Sequence, residues 1–190
     1  MSKSDLLTPR LRCEPLRAEH AQAVWKPLQN PLIYTYLPDD PPSRLALQTR
    51  YDFLSHGRSP DGAQIWLNWI AFHRASSTPI GTFQVTLPQG QTGTFAYVIF
   101  PSFWSKGYGT EMARCVLTHV FDTYPVMEMH ADIDTRNEAS IRWVEALGCQ
   151  RVKTTLRADF FKGQSSDEVT YSIDRNGWHT HESKSLDRVH

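Results

Sequence analysis

The sequence predicts a mixed α+β fold, built on a mostly antiparallel sheet of about six to seven strands with about four helices on its two faces. Two patterns along the 190 residues carry this prediction. Alternating apolar residues between 65 and 100, interrupted by short turns, indicate three successive antiparallel strands. After residue 100 the apolar period alternates between that of a helix and that of a strand, which is typical of a mixed fold.

The first hundred residues contain two predicted helices and four predicted strands. Pro27 ends the first helix. In the second helix Leu47, Tyr51 and Leu54 repeat at helical spacing, and Gly57 follows as a stop. In order, these elements are a strand at 11–16, helices at 18–26 and 43–56, and strands at 65–73, 80–87 and 94–100.

The remaining residues predict two more helices and three more strands. Pro125 ends the first of these helices, and Gly148 has the position of a C-terminal stop after the second. The elements are helices at 108–124 and 137–147 and strands at 126–134, 152–161 and 168–173, with a turn at 162–166. From Arg175 onward the sequence is polar, and we expect a loosely held tail.

Composition excludes several classes of function. Twenty Lys and Arg residues balance twenty Asp and Glu residues, whereas a dedicated nucleic-acid binder usually has a basic excess. No apolar run approaches the length of a membrane span, so we expect no membrane partner. Cys13, Cys115 and Cys149 are widely spaced and show no metal-ligand spacing, which predicts reduced thiols, a cytoplasmic protein and no bound metal.

The most informative segment is the glycine-containing turn at 104–111, which joins a predicted strand to a predicted helix. Gly107 and Gly109 permit backbone conformations that other residues resist, and they let N–H groups approach a ligand closely. The first N–H groups of a helix have no partners within it and lie at its positive end. The turn is therefore a candidate phosphate site.

Two better-known phosphate loops do not fit this turn. A dinucleotide-binding fingerprint requires a third glycine, but Thr110, Glu111 and Met112 follow Gly109. A P-loop requires lysine after its last glycine, whereas Lys106 precedes Gly107.

The order of elements over residues 5–178 resembles the GNAT N-acetyltransferase superfamily. More narrowly, the chain is similar to the Rim-type branch, named for ribosomal-protein N-terminal acetyltransferases. The opening residues 7–11 are similar to the first strand of that branch. Tyr97 to Pro101 together with Phe103 to Glu111 is similar to its strand-loop-helix motif. Its second motif resembles Arg136 to Arg142 followed by Leu147-Gly148. The resemblance implies one acetyltransferase domain at 1–178 and a polar C-terminal tail at 179–190.

The resemblance also implies a three-layer fold whose sheet is splayed between the strands at 95–100 and 127–134, with acetyl-CoA held there mainly by backbone groups. Lys106 would add a charge to the N–H groups around the pyrophosphate. The implied cofactor-binding residues are Val98, Ile99, Phe100, Trp104, Ser105, Lys106, Gly107, Tyr108, Gly109, Thr110, Asn137 and Ser140.

The implied reaction is attack of a neutral primary amine on the acetyl thioester. A backbone N–H within 98–100 is the candidate to stabilise the oxyanion. Many relatives protonate the thiolate with a tyrosine where this chain has Val144, and Ser140, one helical turn earlier, is the substitute that Rim-type relatives suggest. His130 and Asp132 are the candidate general bases, acting directly or through water.

Three functions remain open at this stage. The acceptor is a protein N-terminus or, alternatively, a small amine such as an amino sugar, a polyamine or an amino-acid derivative. A third possibility is an acyl-CoA-binding module without turnover, because Val144 removes the usual proton donor and no base is obvious. The sequence is compatible with either a monomer or a homodimer.

Overall fold

The computed structural model describes residues 4–187, and for residues 184–187 the backbone alone. Eight strands form one sheet in the order β1-β2-β3-β4-β5-β6-β8-β7. Every neighbouring pair is antiparallel except β5 and β6, which are parallel. The strands are β1 (Leu6–Leu7), β2 (Leu11–Pro15), β3 (Gln64–His73), β4 (Pro79–Pro88), β5 (Thr92–Ile99), β6 (Glu128–Asp134), β7 (Gln150–Phe161) and β8 (Gln164–Asp174).

Helices cover the two faces of this sheet. The α-helices are α1 (His20–Val24), α2 (Arg44–Ser55), α3 (Tyr108–Thr123), α4 (Glu138–Ala146) and α5 (Arg175–Asp187). One core includes buried residues of α3 and α4, and the smaller core includes those of α1 and α2. The predicted mixed α/β fold is confirmed, with eight strands and five helices within the described residues.

The segment after residue 174 differs from the expected loose tail. It forms α5, whose Trp178 is fully buried and donates from Nε1 to Thr118 Oγ1 at 3.0 Å. The prediction was wrong from Arg175 to Asp187 because one tryptophan in a polar segment gives no helical repeat, although it buries a large apolar surface. Residues 188–190 of the expected tail lie outside the described residues.

Two shorter segments also differ in detail. The predicted turn at 162–166 is shorter, because β7 ends at Phe161 and β8 begins at Gln164. The predicted loop between α1 and α2 contains two short 3₁₀ turns, Pro27–Gln29 and Pro31–Tyr34. Across residues 4–187, we find no helix whose length and apolar character would let it cross a membrane.

Candidate active site

A cleft opens where β5 and β6 separate. These parallel strands pair only at Thr92–Thr94 of β5 and Glu128–His130 of β6. Beyond that point the strands share no ladder, which is the splay expected from the sequence. The cleft has a volume of about 750 Å³, and its walls come from β5, the turn before α3, the start of α4 and the loop at 32–37.

The backbone of β5 offers alternate N–H groups to the cleft. Phe100 N–H donates to the Ile80 carbonyl of β4 at 2.9 Å. Alternation along an antiparallel pair then directs Val98 N–H toward β4 and Ile99 N–H toward the splay. Of the three predicted positions 98–100, Ile99 thus presents its N–H to the cleft. Phe100 is buried in the smaller core and does not line the cleft, so its predicted contact with the cofactor is not supported.

The turn before α3 forms a concave row of N–H groups. Ser105 and Gly107 have φ of 58° and 78°, and Gly107 is the residue at the N-cap of α3. Left-handed residues alternating with right-handed ones point successive N–H groups to one side. No side chain caps this helix. The first N–H group after Trp104 that bonds to a backbone carbonyl is that of Glu111, which donates to Gly107. Among residues 4–187, the N–H groups of 105–110 therefore have no acceptor.

The side chains of Trp104 and Lys106 in this turn donate to backbone carbonyl groups. Trp104 Nε1 donates to the Ile99 carbonyl at 2.6 Å, which ties the turn to the end of β5. Lys106 Nζ donates to the Ser102 carbonyl at 2.8 Å. The lysine therefore contributes positive potential near the turn, while its direct hydrogen bond goes to the preceding turn.

A carboxylate pins the turn to the first hairpin of the sheet. Glu111 accepts from the Thr8 hydroxyl, from the Arg10 N–H at 2.8 Å and from Arg10 Nε at 2.6 Å. Arg10 also donates from Nη1 to the Lys106 carbonyl at 3.0 Å. Burial alone would raise the pKa of Glu111, but the hydrogen bonds from Thr8 and Arg10 outweigh it, and the pKa is lowered.

Sequence reasoning assigned no role to Thr8, Arg10 or the Glu111 side chain. Arg10 and Glu111 are about a hundred residues apart in sequence, and no local pattern indicates their pairing. The one sequence signal that could have indicated this pairing is that Arg10 and Glu111 both lie in segments that resemble the same family.

The start of α4 brings two predicted cofactor-binding residues, Asn137 and Ser140, to the cleft, together with Trp143. Asn137 Oδ1 accepts from Ser140 N–H at 3.1 Å and so caps the helix. Ser140 Oγ accepts from the Tyr97 hydroxyl of β5 at 3.1 Å. Trp143 packs against the Tyr97 ring with centroids 3.9 Å apart. Val144, in contrast, is fully buried in the larger core and lies outside the cleft lining.

Trp143 presents a donor for which the described residues supply no acceptor. Its Nε1 is buried and has no hydrogen-bond partner there. A buried donor without a partner costs free energy, so such groups are uncommon and are usually satisfied by a water molecule, an ion or a ligand. Gly109 explains how the indole fits: a Cβ there would lie 3.3 Å from Trp143 Nε1 and 3.2 Å from Ile99 Cγ1.

The two predicted bases are not brought to the cleft. His130 Nε2 lies 3.2 Å from Glu128 Oε1 beside the paired end of β6. Asp132 Oδ1 accepts from Thr170 Oγ1 at 2.7 Å on the same sheet face. Neither residue lines the cleft that contains Ser140, and their catalytic roles stay predictions.

One wall of the cleft comes from the loop between α1 and α2. Residues 32, 33 and 35–37 line it, and Lys162 at the tip of the β7–β8 hairpin holds this loop. Lys162 Nζ donates to the Tyr34 carbonyl and, at 3.0 Å, to the Leu37 carbonyl. No local sequence pattern indicates this contact, because Lys162 and Tyr34 are 128 residues apart in sequence.

A splayed sheet with an uncapped helix N-terminus at the splay defines a cleft with donors suited to phosphate groups. The family model for the acetyltransferase (GNAT) domain matches residues 10–150. The chain therefore belongs to the GNAT acetyltransferase family. A curated relative, the uncharacterised protein YkkB of Bacillus subtilis (strain 168), is 29% identical over 157 residues, covering 80% of this chain and 89% of that protein.

Solved structures share the fold at low sequence identity. A putative acetyltransferase from T. thermophilus has a TM-score of 0.80 at 22% identity, covering 100% of this chain and 99% of its own. The ribosomal L7/L12 alpha-N-protein acetyltransferase RimL, solved with coenzyme A, has a TM-score of 0.76 at 13% identity, covering 90% and 98%. At these identities the similarity establishes the fold alone.

Within residues 4–187, no three His, Cys, Asp or Glu side chains are grouped in a way that could hold a metal ion. The cleft is instead lined by backbone N–H groups, hydroxyl groups and aromatic rings. Backbone N–H groups and hydroxyl groups are donors suited to phosphate oxygens.

Proposed function

We propose that this protein transfers the acetyl group of acetyl-CoA to a primary amine. The observation that carries the proposal is the row of N–H groups at 105–110, for which residues 4–187 supply no acceptor, at one end of the cleft. Phosphate oxygens would accept from these groups and would lie at the positive end of α3. This arrangement lets a protein with no net charge bind an anionic donor.

The rest of the cleft supports a place for each reacting group. Ile99 N–H points into the splay, where it would stabilise the oxyanion formed when the amine attacks the acetyl carbon. Trp143 Nε1 offers a donor for a carbonyl of the pantetheine arm. Ser140 lies next to this path and would donate a hydrogen bond to the departing thiolate.

The proton of the attacking amine does not require a strong base. An α-amino group has a reference pKa near 8 and is partly neutral at cellular pH. His130 and Asp132 lie outside the cleft lining, so water is the favoured first acceptor of the amine proton. These two residues would then act as bases only by taking the proton from that water.

For the acceptor we propose a protein N-terminus, as in the Rim-type branch. The similarity in fold to RimL, whose name describes protein acetylation, supports this choice. A small amine is the second candidate. It is favoured by the loop at 32–37, which lines the cleft and is held in place by Lys162.

We also propose a cytoplasmic enzyme, in keeping with its three free cysteines.

The test is release of coenzyme A thiol from acetyl-CoA in the presence of a panel of amines. The panel contains short peptides with free N-termini, a polyamine, an amino sugar and an amino-acid ester, and the same peptides N-acetylated serve as controls. We expect thiol release with the free peptides and none above background with the blocked ones. Thiol release with a small amine but not with the free peptides would show that the acceptor is a small amine and not a protein N-terminus. Binding of acetyl-CoA without release for any amine would indicate the non-catalytic module.

A further inference from the structure

The inner cleft contains a hydroxyl pair that joins two distant segments. Tyr97 of β5 donates its hydroxyl hydrogen to Ser140 Oγ of α4 at 3.1 Å. Both side chains line the cleft at the point where β5 and β6 have separated. The pair therefore lies beside the path proposed for the acyl donor.

The direction of this hydrogen bond determines what Ser140 can do. A serine hydroxyl has one hydrogen to donate and two lone pairs that accept. Because Tyr97 fills one lone pair, the hydrogen of Ser140 is not used in this contact. A serine in a helix commonly donates to a carbonyl one turn back. In the described part of the chain, the Ser140 hydroxyl is bonded to Tyr97 alone, and the Ser140 N–H donates to Asn137 Oδ1.

The surroundings of Tyr97 hold the phenol in place and keep it protonated. Its ring packs against Trp143 at a centroid distance of 3.9 Å. Burial raises the pKa of Tyr97 to about 12, against a smaller opposite effect of the hydrogen bond with Ser140. The phenol thus remains a donor across neutral and mildly alkaline pH.

We propose that Tyr97 is a positioning residue that turns the Ser140 hydroxyl toward the sulfur of the departing coenzyme A thiolate. This inference rests on the proposed acetyl transfer. As the bond from nitrogen to the acetyl carbon forms and the carbon–sulfur bond breaks, the electron pair passes to sulfur. Ser140 donates a hydrogen bond to that charge, while the amine proton goes to water and the thiolate takes its final proton from water.

Tyr97→Phe tests the proposal because it keeps the ring against Trp143 and removes only the hydroxyl. We expect kcat to fall about tenfold, the size of one hydrogen bond gained in the transition state, with the Kd for coenzyme A unchanged. Tyr124→Phe, at the far end of α3, is the matched control and should retain the activity of the unmodified protein.

A double-mutant cycle separates positioning from a purely structural role. If Tyr97 acts through Ser140, the variant with both Tyr97→Phe and Ser140→Ala should be no slower than Ser140→Ala alone. Additive losses, a loss in Tyr97→Phe without one in Ser140→Ala, or full activity of Tyr97→Phe would each overturn the inference and leave the proposed function standing. No acetyl transfer by the unmodified protein would overturn both.

Discussion

Gly107 sets the conformation of the turn before α3. Its φ is 78°, in a region that residues with a Cβ resist, and an added Cβ would lie 3.3 Å from Arg10 Nη2. We expect Gly107→Ala to destabilise the fold by about 1 kcal/mol and to weaken coenzyme A binding at least tenfold, because the N–H row loses its alignment. Calorimetric titration with coenzyme A measures the second effect.

Gly62 provides the matched control for that substitution. It has a φ of 72°, and an added Cβ there would meet nothing within 4 Å. Gly62→Ala therefore introduces similar backbone strain far from the cleft and should leave the Kd for coenzyme A unchanged. Equal affinities of the two variants would show that the turn at 105–110 does not bind the nucleotide portion.

The contribution of Glu111 to the stability of the fold depends on pH. Its pKa in the folded protein lies below the ordinary value of 4.5, so its ionised form stabilises the fold above that pH, and the contribution is lost as the pH falls through the lowered pKa. We expect Glu111→Gln to cost on the order of 1–3 kcal/mol at pH 7. The stability difference from the unmodified protein should stay constant from pH 7 to 5 and shrink below 4.5 in urea titrations.

The exposed ion pair of Glu138 and Arg142 serves as the control for this titration. Their side chains are 78% and 68% exposed, so the pair contributes little to stability. Glu138→Gln should leave the urea midpoint nearly unchanged at each pH. A difference for Glu111→Gln that grows toward low pH would contradict the contribution assigned to its carboxylate.

At the scale of elements, Trp178 anchors α5, which also makes polar contacts through Arg175 and Glu182. Trp178 is fully buried, bonds to Thr118 of α3 and lies 6.2 Å from the ring of Phe121. We expect Trp178→Ala to lower the free energy of unfolding by about 3–5 kcal/mol, since it leaves a large cavity. Thr180→Ala, an exposed position on the same helix, should change it by less than about 0.5 kcal/mol. Equal urea midpoints for the two variants would show that burial of Trp178 adds no stability.

The elements also show where sequence reasoning succeeded and where it ended. Alternation along β6 separated the core side of Met129 from the polar side of His130, and the structure keeps that division. Periodicity could not show that β6 pairs with β5 over only three residues. That register determines where the cleft lies, and it leaves His130 and Asp132 outside its lining.

Across the whole molecule, the contacts that complete the site join segments far apart in sequence. Tyr97 meets Ser140 across 43 residues, and Lys162 meets Tyr34 across 128. Such pairs depend on the order of strands in the sheet, which local propensity does not encode. The glycine turn was predictable because its conformation is a local property of Ser105 to Gly109.

The cleft spans segments from the first helices to α4, so occupancy by a ligand should stabilise the whole fold. A ligand that binds only the folded state at about 100 times its Kd adds roughly 2.7 kcal/mol, which corresponds to an increase in Tm of about 5–10 °C for a domain of this size. We expect this increase with coenzyme A and acetyl-CoA in a thermal unfolding experiment. ATP, which lacks the pantetheine arm, should give a smaller one.

Gly107→Ala gives this measurement an internal control. The variant should unfold at a lower temperature by itself and should show little further change when coenzyme A is added, because its row of N–H groups no longer fits a phosphate. An equal increase in Tm for both proteins would place the phosphates elsewhere on the surface. No increase for the unmodified protein with either coenzyme would contradict a donor site in this cleft, and with it the acetyl transfer proposed from its geometry.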